Sequence, residues 1–164
     1  MTLARFLPDL SGLLLNDGLL QLVLKRELLG RAAIDRVPSY LFEIQLMSTA
    51  VTVGEIDIRI GDTHYIQMYA GHIGYHIDPP FRGQRYAARA CNLAREVALS
   101  HAMKQLWITC NPDNLASRRT CELIGARFIE EVRVPWATEL FWRGDRRKCR
   151  YLWDLTSPQY SELS

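Results

Sequence analysis

Gly74-Tyr75-His76-Ile77-Asp78-Pro79-Pro80-Phe81-Arg82-Gly83-Gln84-Arg85-Tyr86-Ala87 is the stretch that decides how this chain is read. An alternating apolar segment runs into two prolines. Proline has no N–H to give a sheet ladder, so a strand must stop there. A short loop follows, and then the first turn of a helix. A loop in that place aims several unpaired backbone N–H groups, and the positive end of a helix dipole, at one point in space. That geometry binds anions, phosphates above all.

Working outward, residues 85–102 have the period of an amphipathic helix. Ala87, Cys91, Ala94 and Ala98 make a stripe of small residues flanked by Leu93 and Val97, which lets the helix lie close to a sheet. Residues 105–110 read as a buried strand. Asn111-Pro112-Asp113-Asn114 is a turn with Asn114 as helix N-cap, and a helix over 115–124 stops at Gly125. Residues 128–134 and 149–155 read as two antiparallel neighbours. Upstream of the central stretch, residues 19–24, 40–46, 53–60 and 71–77 read as strands. In the third of these, Val53, Glu55, Asp57 and Arg59 alternate with Gly54, Ile56, Ile58 and Ile60, which puts the two sets on opposite faces. In the fourth, Ile73, Tyr75 and Ile77 share one face, and His72, Gly74 and His76 the other. Residues 28–38 are a connection with room for one short helix. Residues 1–18 mix helical spacing (Leu3, Phe6, Leu7, Leu10) with turn signals at Ser11-Gly12 and Asp17-Gly18.

The order is a run of antiparallel strands, then strand–helix–strand–helix, then two strands. It describes an α/β or α+β chain with a mixed sheet in which only the middle unit demands a parallel crossover. Residues 1–164 are expected to form a single domain.

Composition narrows the class of function. A hydrophobic fraction of 48%, a charged fraction of 23% and a formal net charge of +2 are ordinary for a globular protein and do not suggest a nucleic-acid binder by bulk electrostatics. Cys91, Cys110, Cys121 and Cys149 form no CxxC pair and no zinc-ligand spacing, so no metal is expected. No apolar run approaches the roughly 20 residues that span a membrane. A cytoplasmic chain with no membrane and no nucleic-acid partner is the expectation, as a monomer or homodimer. The run Arg143-Gly144-Asp145-Arg146-Arg147-Lys148-Cys149-Arg150 reads as a solvated loop flanking a strand, the other reading being an electrostatic guide for an acidic substrate or a nucleic-acid patch, the latter without the aromatic interleaving that nucleic-acid readout uses. Trp136, Phe141 and Trp142 beside it are candidates for the wall of an acceptor pocket.

The central stretch, followed by Asn114-Leu115-Ala116-Ser117 and by Cys121-Glu122-Leu123-Ile124-Gly125-Ala126, resembles the GNAT superfamily of N-acetyltransferases. The spacing Asn-x-x-Ser is most similar to the branch that acetylates the N-termini of ribosomal proteins. The resemblance covers the second half of the chain well and the first half loosely. The family's loop pattern is Arg or Gln, two residues, Gly, one residue, then Gly or Ala. Arg82 and Ala87 fit it; Arg85 stands where the family has glycine. Cys121 replaces a tyrosine that in relatives often protonates the leaving thiolate, and Ala126 replaces phenylalanine.

The resemblance implies a GNAT-like fold: a mostly antiparallel central sheet, helices on both faces and a V-shaped splay between the fourth and fifth strands. It implies acetyl-CoA as cosubstrate, held by Tyr75, Ile77, Arg82, Gly83, Gln84, Arg85, Tyr86, Ala87, Asn114 and Ser117. It also implies acetyl transfer to a primary amine, on a small molecule or a peptide N-terminus, by direct attack in a ternary complex. A backbone N–H near Ile77 is the expected oxyanion donor. His72 and His76 are the first candidates for the base, with Glu55, Asp57 or a water as alternatives. Ser117 and Cys121 are the candidates for the acid. A catalytically silent acyl-CoA-binding or interaction domain is the other reading.

Overall fold

The computed structural model describes residues 9–31 and 36–158. They fall into two compact units that the chain visits in turn. One holds the described residues up to Asp62 together with Ile73–Met103; the other holds Thr63–His72 and the described residues from Lys104 on. Each unit has its own sheet, and every ladder among the described residues is antiparallel.

In the first unit, β1 (Leu20–Leu28), β2 (Ser39–Leu46), β3 (Thr52–Arg59) and β4 (Ile73–Ile77) form a meander in that order. The helix α1 (Tyr86–Ser100) packs on β1, β3 and β4. Alternation does the sorting: Tyr40, Phe42 and Ile44 of β2 and Ile56 and Ile58 of β3 are buried, as are Ala88, Cys91, Ala94 and Ala98 of α1. Ala87, which the stripe includes, is only half-buried. Val53 is buried although strict alternation gives it to the polar face. The reason is a bulge: Ile44 pairs with Gly54 and Gln45 with Thr52, so Val53 is an extra residue that re-aims the strand. Gly54 lies opposite Ile77, and a Cβ there would collide with the His76 carbonyl oxygen. Only glycine allows β3 and β4 to approach this closely.

Several boundaries differ from the sequence reading. β1 runs on to Leu28, past a bulge between Leu24 and Arg26. β4 begins at Ile73 rather than Gly71, because His72 belongs to the second unit, where its N–H bonds to the Trp107 carbonyl instead of a β3 partner. The expected short helix after residue 28 includes residues 32–35, which lie outside the described residues, as do residues 1–8 of the ambiguous N-terminal stretch.

In the second unit, β5 (Gln105–Cys110), β6 (Arg127–Arg133) and β7 (Arg147–Asp154) form a sheet with β7 in the middle. The helix α2 (Leu115–Leu123) packs on β5, and a single π-type turn, Ile66–Ala70, packs on β5 and β7. A short helix, α3 (Glu139–Trp142), interrupts the β6–β7 connection. The basic run is solvated only as far as Arg147. Lys148, Cys149 and Arg150 are buried in β7. Arg150 stacks 4.1 Å over the Trp107 ring, donates to the Gln67 carbonyl at 3.0 Å and pairs with Glu130. One guanidinium therefore ties three elements of the unit together, with its charge matched by a carboxylate rather than left bare.

A second carboxylate fixes the entry to β1. Asp17 accepts the N–H groups of Leu19 at 3.0 Å and Leu20 at 2.8 Å, and meets Arg89 of α1 at 2.8 Å. Burial pushes its carboxyl up, but the two N–H groups and the guanidinium outweigh that and hold it below the usual aspartate value. The stability this supplies is therefore complete above the unfolded aspartate pKa and is lost as pH falls through the lower folded value. Asp17→Ala is expected to cost about 1–3 kcal/mol at neutral pH, by the usual worth of hydrogen bonds to a charged group. Thermal unfolding of the two proteins across acidic pH checks this: the gap in Tm closes as the carboxyl of the parent protein protonates. A gap that does not change with pH would contradict it.

Candidate functional site

The sequence-expected residues are shared between the two units. Tyr75, His76, Ile77, Arg82, Gly83, Gln84, Arg85, Tyr86 and Ala87, with Glu55 and Asp57, belong to the first; His72, Asn114, Ser117 and Cys121 belong to the second.

In the first unit β4 ends at Ile77, and Asp78-Pro79-Pro80-Phe81 turns the chain through a 3₁₀ turn. Arg82 folds back on this turn, its Nε donating to the Ile77 carbonyl at 2.8 Å, so it braces the loop from within. Gly83 follows with φ +82°, and a Cβ there would meet nothing within 4 Å. Arg85 is the cap residue of α1 and sits in the left-handed region, φ 59°, ψ 22°. This is the position where the resembled pattern has glycine. The arginine keeps glycine's backbone shape at the energetic cost of a Cβ in that region. No side chain caps α1, and among the described residues no backbone acceptor meets the N–H groups of Tyr86, Ala87 or Ala88. The first turn of a fifteen-residue helix thus presents bare donors beside an exposed guanidinium.

Glu55, Asp57 and His76 share one face of the same sheet. Glu55 pairs with His76 and Asp57 with Gly74 across the β3–β4 ladder. His76 is well exposed, at 59% of its side chain, and its Nε2 lies 3.6 Å from Asp78. A salt bridge from Lys25 holds the Glu55 carboxyl below its usual range. Burial does the opposite to Asp57, pushing its carboxyl up against the pull of Arg59, which lies 3.2 Å away. The Asp57 carboxylate lies over Gly74, in space that a side chain there would need.

In the second unit His72 is fully buried, with 0% exposure. Its N–H donates to the Trp107 carbonyl at 2.7 Å, and its Nδ1 accepts the Trp107 N–H at 2.8 Å. An imidazole that accepts at Nδ1 carries its proton on Nε2, so the acceptor site a base needs is occupied. This corrects the expectation that His72 and His76 stand side by side on one strand face. His72 precedes β4 and acts as a splice onto β5. Asn114 caps α2 as the sequence indicates, its Oδ1 accepting the Ser117 N–H at 3.1 Å. The Ser117 hydroxyl bonds to the Cys110 sulfur, whose thiol burial pushes up. Cys121 is fully buried. Both acid candidates are thus occupied by packing and by internal hydrogen bonds.

The sequence reading missed the splice at His72–Trp107 and the buried Arg150. A strong polar residue just before a strand, and an arginine alternating with Tyr151 and Trp153 on β7, were the available signals. Among the described residues no group of three or more His, Cys, Asp or Glu side chains is placed to hold a metal ion, and no helix is long and apolar enough to cross a membrane.

The left-handed Arg85 has a measurable consequence. Arg85→Gly is expected to keep or raise Tm, since the glycine relieves strain but gains entropy when unfolded. Arg85→Val is expected to lower Tm, because a β-branched side chain tolerates that region less well than the unbranched arginine. Equal Tm for all three proteins would mean that residue 85 is not left-handed.

Solved structures with the same fold include the microcin C7 self-immunity acetyltransferase MccE, in complex with acetyl-CoA and AMP. It is 22% identical, with a TM-score of 0.55, over 71% of this chain and 61% of that one. RimJ of Mycobacterium smegmatis, in complex with CoA-disulfide, is 16% identical at a TM-score of 0.55, over 71% of this chain and 53% of that one. The ribosomal-protein-S5-alanine acetyltransferase of Vibrio fischeri is 15% identical at a TM-score of 0.57, over 73% and 64%. At these identities the likeness is one of fold. The chain spans between half and two-thirds of the length of these proteins. Among curated protein sequences nothing matches it. Residues 21–127 match the acetyltransferase (GNAT) domain, well over half of the sequence, and the chain therefore belongs to the GNAT acetyltransferase family.

Proposed function

We propose that this chain is an acetyl-CoA-dependent N-acetyltransferase that acts on a primary amine, either a small molecule or a peptide N-terminus. The observation that supports it is the first turn of α1, with the uncapped N–H groups of Tyr86, Ala87 and Ala88 just after the exposed Gly83-Gln84-Arg85 loop. The donor set suits a pyrophosphate: backbone N–H groups, a helix N-terminus and the Arg85 guanidinium, with no carboxylate among residues 82–88. Asn114 and Ser117 are the further residues assigned to the cosubstrate. The expected oxyanion donor is a backbone N–H near Ile77.

The chemistry asks little of side chains beyond proton transfer. The neutral amine nitrogen attacks the thioester carbonyl carbon and forms the amide bond. The carbon–sulfur bond breaks, the sulfur leaves with the electron pair, and the amine gives up a proton. An ammonium has no lone pair, so a base must act first. With the Nδ1 of His72 occupied, His76 is the first choice, exposed and directly across the ladder from Glu55. Asp57 is the next, since burial raises its basicity. Ser117 and Cys121 are engaged elsewhere, so we assign the thiolate's proton to water. These same engagements favour the second reading, a catalytically silent acyl-CoA-binding domain.

One set of measurements tests both readings. Saturating CoA at 100 times its dissociation constant is expected to stabilise the parent protein by roughly 2.7 kcal/mol. Gly83→Asp is expected to fold and to lose that response, because aspartate tolerates the left-handed backbone and has room for its Cβ, yet sets a carboxylate against the phosphates. Thiol release from acetyl-CoA across a panel of amines and peptides is expected to fall about 10²-fold or more in His76→Ala, with CoA affinity retained. No response to CoA would overturn the whole reading. A CoA response without turnover on any amine would establish the silent one.

A further inference from the structure

The polar face of the first unit's sheet already holds a primary amine against a carboxylate. The Lys25 ammonium donates a hydrogen bond to Glu55 Oε1. The two residues are not neighbours in the sheet. β2 lies between β1 and β3, so the Lys25 stem crosses β2 to reach Glu55. Register accounts for the reach. Leu24 pairs with Phe42 and Arg26 with Leu41, which leaves Lys25 as the extra residue of a bulge. A bulge re-aims the side chain it carries. The carboxylate on the intervening strand, Glu43, is otherwise engaged: its Oε2 accepts from Gln45 Nε2 at 2.9 Å and from Thr52 Oγ1 at 3.2 Å.

The carboxylate that Lys25 reaches is the one beside the candidate base. Glu43, Glu55 and His76 form one row across β2, β3 and β4, with Glu55 directly opposite His76. Ile77 is the next residue of β4. The Asp78 N–H bonds to the Val53 carbonyl at 2.8 Å. Ladder bonds alternate in an antiparallel pair, so the Ile77 N–H turns away from β3, toward the outer edge of the sheet. An amine at Glu55 is thus one ladder pair from an exposed imidazole, and that imidazole is one residue from the expected oxyanion donor. The contact is also exchangeable. Lys25 and Glu55 keep 48% and 27% of their side chains exposed, and water keeps such ion pairs weak.

We propose that Glu55 is the seat of the acceptor's ammonium, that the acceptor is an alkylamine on a flexible stem, and that Lys25 holds the seat until such an amine displaces it. The ligand class follows from the present occupant: a compact ammonium with three N–H donors on an unbranched carbon chain. The fate of the bound amine, its proton passing to His76 before the nitrogen attacks the thioester, rests on the acetyl-transfer reading; its binding at Glu55 does not.

The test is made without acetyl-CoA, so that its failure is distinct from a failure of acetyl transfer. The full ¹⁵N-labelled chain is titrated at neutral pH with pentane-1,5-diamine, with Nα-acetyl-lysine amide, and with aniline, which carries no charge there. The two alkylamines are expected to give saturable amide shifts at Glu55 and His76, and aniline none. The tighter of the two separates a free amine from a lysine side chain as the source. Lys25→Met keeps the stem and removes the charge, and is expected to tighten alkylamine binding about two- to fivefold, the worth of an exposed ion pair; Lys25→Arg is expected to return it toward the parent value. Glu55→Gln is expected to weaken it about tenfold or more, the worth of a hydrogen bond to a charged group, with Tm close to that of the parent protein. The proposal is overturned if neither alkylamine shifts Glu55 and His76, if Lys25→Met or Glu55→Gln binds as the parent protein does, or if aniline binds as tightly.

Discussion

Two consecutive prolines cannot extend a ladder, and a helix cannot satisfy its own first N–H groups. The stretch from Ile77 to Ala88 is caught between those two prohibitions. β4 has to stop at Ile77, and α1 has to begin with donors that nothing in its own backbone can use. The short path between them is kept by three local devices. Arg82 bonds back to the last carbonyl of β4, Gly83 takes a positive φ, and Arg85 takes another. The rest of the first unit serves to hold that junction still. The bulge at Val53 and the missing side chain at Gly54 bring β3 close to β4, and the small-residue stripe brings α1 onto the same sheet.

The second unit is held by polar groups placed in apolar surroundings. His72 exchanges two hydrogen bonds with the Trp107 backbone, and Arg150 joins a π-type turn, β6 and a tryptophan face. Buried groups of this kind are stable only when fully partnered, and each removes one arrangement the chain could otherwise adopt. The Ser117–Cys110 contact and the Asn114 cap belong to the same pattern. Residues that look like chemistry in the sequence are, in this unit, largely employed in holding the fold.

Much of this was legible because it rests on local rules. The strand before the prolines, the helix after them, the Asn114 cap and the antiparallel β6–β7 pair all follow from period, turn chemistry and capping. The family follows from the order of those motifs. What period alone does not reveal is where alternation is broken or borrowed. Val53 changes faces at a bulge, and Arg150 is a charge placed inside by three partners distant in sequence. His72 has the spacing of a β4 residue but the hydrogen bonds of a β5 partner, a long-range choice that no neighbouring residue announces. The helix α3 is a single turn, too short for a periodic signal, and its capping threonine was the one cue.

The central claim is that the backbone at the start of α1 receives the phosphates of CoA. Amide NMR of the ¹⁵N-labelled chain, titrated with CoA, reads those N–H groups one by one. The account predicts saturable shifts that are largest at the amides of residues 83–88, with one dissociation constant common to all of them. Saturable shifts elsewhere in the chain, with the amides of Tyr86, Ala87 and Ala88 unmoved, would contradict it.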